Sequence, residues 1–106
     1  MIEIINKKTP YRGTATVIYC GRPSIFGNPF TISSTCSRDE ACDNFHKWLA
    51  EQPEYSHIRK NIIRLAVRVL AGEQLALQCW CAPERCHAES IRDAIMIEVE
   101  RMKNES

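Results

Sequence analysis

Two periodicities divide the chain: a repeat near two residues marks strands, and one near 3.6 marks helices. Over residues 74–81 the alternation is explicit. Leu75, Leu77, Cys79 and Cys81 share one face, and Ala76, Gln78 and Trp80 the other. Residues 15–20, Ala-Thr-Val-Ile-Tyr-Cys, are rich in β-branched side chains and predict a second strand. Residues 2–6 read as a shorter one. Helical spacing takes over after Ser37, where Ala41, Phe45, Trp48 and Leu49 fall on one side. Ser37 is placed to cap that helix, with Glu40 at the offset of a capping box, and Pro53 stops it. A second helix from near Ser56 aligns Ile58, Ile62, Leu65, Ala66 and Val69, with Gly72 as its stop. A third starts around residues 86–89 and turns Ile91, Ala94, Ile95, Val99 and Met102 inward.

The order is strand, strand, helix, helix, strand, helix. The two-helix connection is long enough for a parallel crossover. The expected fold is α/β: a small layered single domain over residues 1–106, with a three-stranded, mostly parallel sheet and about three helices. Only a short loop joins the first two strands, so the first is a candidate for antiparallel pairing. In sheets of this kind ligands bind beyond the carboxyl ends of the strands. Two segments rich in turn residues meet there. Residues 21–30 carry Gly21, Pro23, Gly27, Asn28 and Pro29, and residues 82–87 form the return into the last helix.

Composition narrows the classes. The chain has 106 residues, one domain's worth, with 14 Lys plus Arg against 13 Asp plus Glu. A net charge of +1 argues against a dedicated non-specific DNA binder and leaves room for a local basic patch. Six cysteines are the unusual count: Cys20, Cys36, Cys42, Cys79, Cys81 and Cys86. That is below the share of roughly 8–10% that marks a small disulfide scaffold. No apolar run follows a basic start, and none approaches the roughly 18 residues of a membrane helix. The expectation is a cytoplasmic protein with reduced thiols and no membrane partner.

Chemistry concentrates in two places. The first is Cys79-Trp80-Cys81-Ala82-Pro83-Glu84-Arg85-Cys86-His87. Cys79, Cys81, Cys86 and His87 could converge on one metal, as a Cys₃His zinc site or an iron–sulfur cluster. The spacing is not a common zinc-finger one. A second reading needs no metal: Cys86, at a helix N-terminus, is a reactive thiolate with Cys81 as resolving partner and His87 beside it. The third reading is packing, since free cysteines are among the most buried residues. The second place is the 21–30 loop. Gly21 lets backbone N–H groups approach a ligand, and Arg22 and Ser24 can grip phosphate or carboxylate. Asn28 can read an amide or base edge, while Phe26 and Phe30 can stack on a ring. With Trp80, the set Gly21, Arg22, Ser24, Asn28 and Phe30 suits a nucleotide, nucleoside or base. It matches no standard phosphate loop. The bland alternative is a structural turn whose phenylalanines plug the core.

Other residues carry less. Cys20, Cys36 and Cys42 read as incidental, and His46 and His57 as surface residues. Arg59, Lys60, Arg64 and Arg68 form a basic helical face, ordinarily solvated but able to touch a nucleic-acid backbone.

Residues 17–30, with the Gly-Arg-Pro-Ser-Ile-Phe-Gly-Asn-Pro-Phe run, and the later Cys-Trp-Cys-Ala-Pro-Glu-Arg-Cys-His turn resemble the domain-of-unknown-function family 4326 of bacteria and their phages. The resemblance covers essentially the whole domain. It implies that the two loops form one site, and it assigns no activity. Where a Gly usually follows the Cys-His pair, this chain has Ala88. Two functions are expected from these readings. One is a small enzyme or binder acting on a nucleotide-like molecule through the Cys/His site. The other is a protein- or nucleic-acid-interaction module with a structural zinc.

Overall fold

A computed structural model gives the fold and describes residues 2–22, 24–30, 36–80 and 86–105. The chain runs β1 (Ile2–Asn6), β2 (Thr16–Tyr19), α1 (Arg38–Ala50), α2 (His57–Leu70), β3 (Leu75–Cys79) and α3 (Ala88–Glu105). The α/β class, the three strands and the three helices are as expected.

The sheet order is β1-β3-β2, and both outer strands run parallel to β3. The antiparallel option for β1 is therefore corrected. Its premise was that a short connection forces neighbouring, opposed strands. A strand the length of β1 spans only about 17 Å at ~3.3 Å per residue. The 7–15 connection can reach about 30 Å when extended. It therefore runs back along the sheet and leaves a gap that β3 fills. Tyr11 holds this connection to β1, its hydroxyl donating to Glu3 Oε2 at 2.7 Å and accepting from Ala15 N–H at 3.3 Å.

The register Ile2–Leu75–Thr16 and Ile4–Leu77–Ile18 sets the two faces. Leu75, Leu77 and Cys79 face the helices with Ile2, Ile4 and Ile18 against them. Phe45, Leu49, Ile62, Leu65, Ile91, Ile95 and Val99 complete this core from the other side. Ala76 is buried on the opposite face, next to half-buried Gln78.

The helix starts follow the sequence signals. Ser37 Oγ accepts from Glu40 N–H, and Ser56 Oγ accepts from Arg59 N–H. Gly72 ends α2 with φ of 100°, a left-handed conformation that only glycine adopts without strain. The Arg59, Arg68 and Glu98 side chains revise the picture of a free basic face on α2. Arg59 donates to the Leu49 carbonyl and pairs with buried Glu98 at 3.9 Å, while Arg68 pairs with Glu73. Two of the four basic residues thus serve helix packing and capping.

Candidate functional site at the carboxyl edge of the sheet

The β-ladder continues one residue past the strands at their carboxyl ends. Lys7 N–H donates to the Cys79 carbonyl at 2.7 Å, and Cys20 N–H to the Gln78 carbonyl at 2.8 Å. This brings Lys7, Cys20 and Trp80 to one edge. The 20–30 loop and the start of α3 meet at the same edge.

The meeting point is His87. Its Nε2 lies 2.6 Å from the Cys20 carbonyl oxygen, and its Nδ1 lies 3.6 Å from Cys86 Sγ. A carbonyl only accepts, so Nε2 carries the hydrogen. In the neutral ring Nδ1 is then a lone pair facing the thiol. Burial lowers the His87 pKa, the Cys20 and Phe26 backbones raise it, and the positive charge of Arg22 lowers it again. Phe45 stands edge-on to the ring at 5.1 Å. His87 and Cys86 are both buried.

Cys86 sits at the positive end of α3. Its N–H is held by Glu89 Oε2 at 3.1 Å, and its carbonyl accepts from Glu89 N–H at 3.0 Å. A cleft of about 260 Å³ between α1 and α3 reaches Cys86, with Asp43, His46, Glu89 and Ser90 on its walls. His46 is exposed, as expected, and its Nδ1 lies 3.0 Å from Ser90 Oγ.

The loop residues divide. Gly21 is buried, and a Cβ there would stand 2.3 Å from the Tyr19 hydroxyl, so no larger residue fits without moving that ring. Arg22 is exposed. Ser24 Oγ is buried and has no hydrogen-bond partner among the described residues. Native structures rarely leave such a group orphaned, and a ligand contact is one of the few explanations. Asn28 spends its amide inside the protein: Nδ2 donates to the Ala41 carbonyl at 3.3 Å and Oδ1 accepts from Phe30 N–H at 2.8 Å. It pins the loop to α1. Phe26 lies in the core and Phe30 packs against it, the plugging role.

Of the other cysteines, Cys20, Cys42 and Cys79 lie in the packed interior, and Cys36 is partly buried. Cys20 and Cys79 are fully enclosed neighbours in the core. Burial, with Cys79 beside it, pushes the Cys20 thiol up to about 12, so it stays protonated. Cys42 is also buried. Cys81, expected as both metal ligand and resolving thiol, lies outside the described residues, as does the 82–85 loop. Among the described residues no group of three His, Cys, Asp or Glu side chains could hold a metal. The Cys86–His87 separation matches two ligands of one tetrahedral zinc, for which Zn–S of about 2.3 Å and Zn–N of about 2.0 Å give S···N near 3.5 Å. A ring N–H on a backbone carbonyl is the usual support for such a histidine.

Trp80, about half exposed, lies on the helix-free side of the edge. Its indole N–H donates to the Tyr19 hydroxyl at 3.0 Å, which donates to the Arg22 carbonyl at 3.0 Å. Lys7 Nζ lies 5.2 Å from the Tyr19 ring centre and 5.9 Å from that of Trp80, within cation–π range. Sequence reading missed Lys7 and Tyr19. The signal was the position of each beside a strand end, and it becomes readable only once β1 and β2 are known to flank β3.

No helix among the described residues is long and apolar enough to cross a membrane. No curated protein and no solved structure matches the chain. The family model described as Domain of unknown function (DUF4326) matches residues 4–96, a span that runs from within β1 into α3, and the chain belongs to that family.

Proposed function

We propose that the protein binds a nucleotide-class ligand at the carboxyl edge of the sheet, and that Cys86 and His87 are its reactive pair. The observation that carries this reading is Ser24 Oγ, buried and without a partner among the described residues, in the loop that also holds His87. Arg22, exposed beside it, takes the anionic part of the ligand, and the Ser24 hydroxyl takes a polar atom next to that group. Trp80 offers its ring to a base. Gly21 and Asn28 shape the loop, and Phe26 and Phe30 anchor it.

At the pair, the Cys86 proton passes to His87 Nδ1 and leaves a thiolate at the helix N-terminus. The Cys20 carbonyl holds the Nε2 hydrogen and so fixes the nitrogen that accepts. A reactive thiol of this kind works in a reducing compartment, and we place the protein in the cytoplasm.

Calorimetric titration with a panel of bases, nucleosides and 5′-nucleotides tests the binding. Arg22→Ala and Ser24→Ala each weaken the best ligand by about tenfold, the loss of one hydrogen bond to a charged or buried group. Absence of binding across the panel, or affinity unchanged in both variants, contradicts the reading.

A second reading rests on the Cys86–His87 separation and the carbonyl behind Nε2: an interaction module with a structural zinc. Cys86 and His87 would supply two ligands. One zinc per chain by elemental analysis, with unfolding on its removal, selects this reading. A zinc-free, folded protein with one fast-reacting thiol selects the first.

A further inference from the structure

The charge of the chain is unevenly placed. Between Ile4 and Arg38 there are five Lys or Arg and no Asp or Glu. The rest of the chain therefore carries a net charge of −4 against the overall +1. The fifth basic residue, Arg38, opens α1, and the other four follow β1 or β2 in the chain. Lys7, Lys8, Arg12 and Arg22 are all exposed. Glu3, the acid of β1, already accepts the Tyr11 hydroxyl.

The alternation of the strands puts Lys7, Tyr19 and Trp80 on the side of the sheet away from the helical core, at the same edge as Arg22. The indole and phenol are tied to each other and to the loop backbone. The result is a pre-oriented aromatic pair with Lys7 over both rings. Among the described residues, two cavities lie between the helices, and Trp80, Tyr19 and Lys7 line neither. An isolated small molecule is usually held in a concave pocket that covers most of its surface. An open aromatic platform with Lys7 over it and Arg22 at the same edge suits a longer ligand, whose bases stack while its phosphates meet these cations.

We infer that the ligand of this edge is a single-stranded nucleic acid. One base stacks on Trp80, and Lys7 and Arg22 hold the flanking phosphates. This rests on the nucleotide-class reading above and narrows it to a polymer. Duplex is disfavoured, because its bases are paired and stacked on each other and cannot reach the indole.

Fluorescence anisotropy with a labelled 15-nucleotide single strand, in DNA and RNA forms, tests it. A duplex of the same sequence and unlabelled 5′-mononucleotides serve as competitors. The single strand binds tighter than either competitor. Trp80→Ala weakens it by roughly 5- to 150-fold, the range for one stacked base, while Trp80→Phe retains most of the affinity. Lys7→Ala lowers the slope of log affinity against log salt by about 0.7, the value for one phosphate on a single strand. Circular dichroism of each variant separates lost contacts from lost fold. A single strand that binds no tighter than a mononucleotide overturns the polymer and leaves the nucleotide reading standing. Preference for duplex, or affinity unaffected in both Trp80→Ala and Lys7→Ala, also overturns it. No binding of any of these ligands removes both readings.

Discussion

Gly21 shows how one residue ties the backbone to the surface chemistry. A methyl group there meets the Tyr19 phenol, the movable end of a side chain, and displaces it from the Trp80 and Arg22 contacts. Gly21→Ala should therefore fold and still lose ligand affinity, by calorimetry beside circular dichroism. Wild-type affinity in that variant contradicts the role of the Tyr19–Trp80 pair. The thiols differ just as sharply. Cys20, held protonated up to about pH 12, should resist alkylation until the chain unfolds. Cys86 should react first, and His87→Asn should slow it by at least tenfold; mass spectrometry of partly alkylated protein reads both. His87 also sets a pH dependence. Its folded pKa lies below its unfolded value, so the unfolded chain takes up the proton first as the pH falls. Stability is full above about pH 6.5, declines below it, and levels off under the folded pKa. Urea midpoints from pH 8 to 5 should show this decline, and His87→Asn should flatten it. Much of this site was legible in advance, because glycine, cysteine and histidine at strand and helix ends restrict the possible roles. Asn28 and Phe30 were harder: an amide or a ring in a loop looks the same whether it faces a ligand or the core.

Among the elements, the helices were read most completely. Apolar spacing named the buried faces of α1 and α2, and Ser37 and Ser56 marked their starts. What escaped was Glu98, a charged residue buried on the inner face of α3. Periodicity assigns a carboxylate to solvent, and only the tertiary fold supplies its partners. Arg59 meets it at 3.9 Å while donating to the Leu49 carbonyl at 2.6 Å, and Arg101 meets it at 3.4 Å. Arg59 is the more enclosed of the two arginines. Arg59→Met should cost about 3 kcal/mol, because it leaves a buried carboxylate with one exposed partner. Arg101→Met should cost about 1 kcal/mol or less, as an exposed pair does. Equal costs in urea denaturation contradict this division of labour.

At the scale of the whole molecule, the decisive fact is the insertion of β3 between β1 and β2. It carries Trp80 in beside Lys7 and Tyr19, and it sets His87 against the Cys20 carbonyl at the start of the 20–30 loop. The sequence order predicted the parallel β2–β3 pair but not the parallel β1, since a loop without a helix gave no hint that it spans the sheet. Helices and core then fall on one face, and the exposed aromatic and basic residues on the other side of the same edge. The central claim is that this carboxyl edge is where the ligand binds. The most direct test is a ¹H–¹⁵N titration of the labelled protein with the best-binding nucleotide. The Trp80 indole and the Gly21, Arg22 and Ser24 amides should shift together and saturate with one constant. The signals of Arg59 and Glu98, in the α2–α3 packing, should stay in place. Shifts confined to the α1–α3 side, with the Trp80 indole and the loop amides unmoved at saturation, would contradict the account.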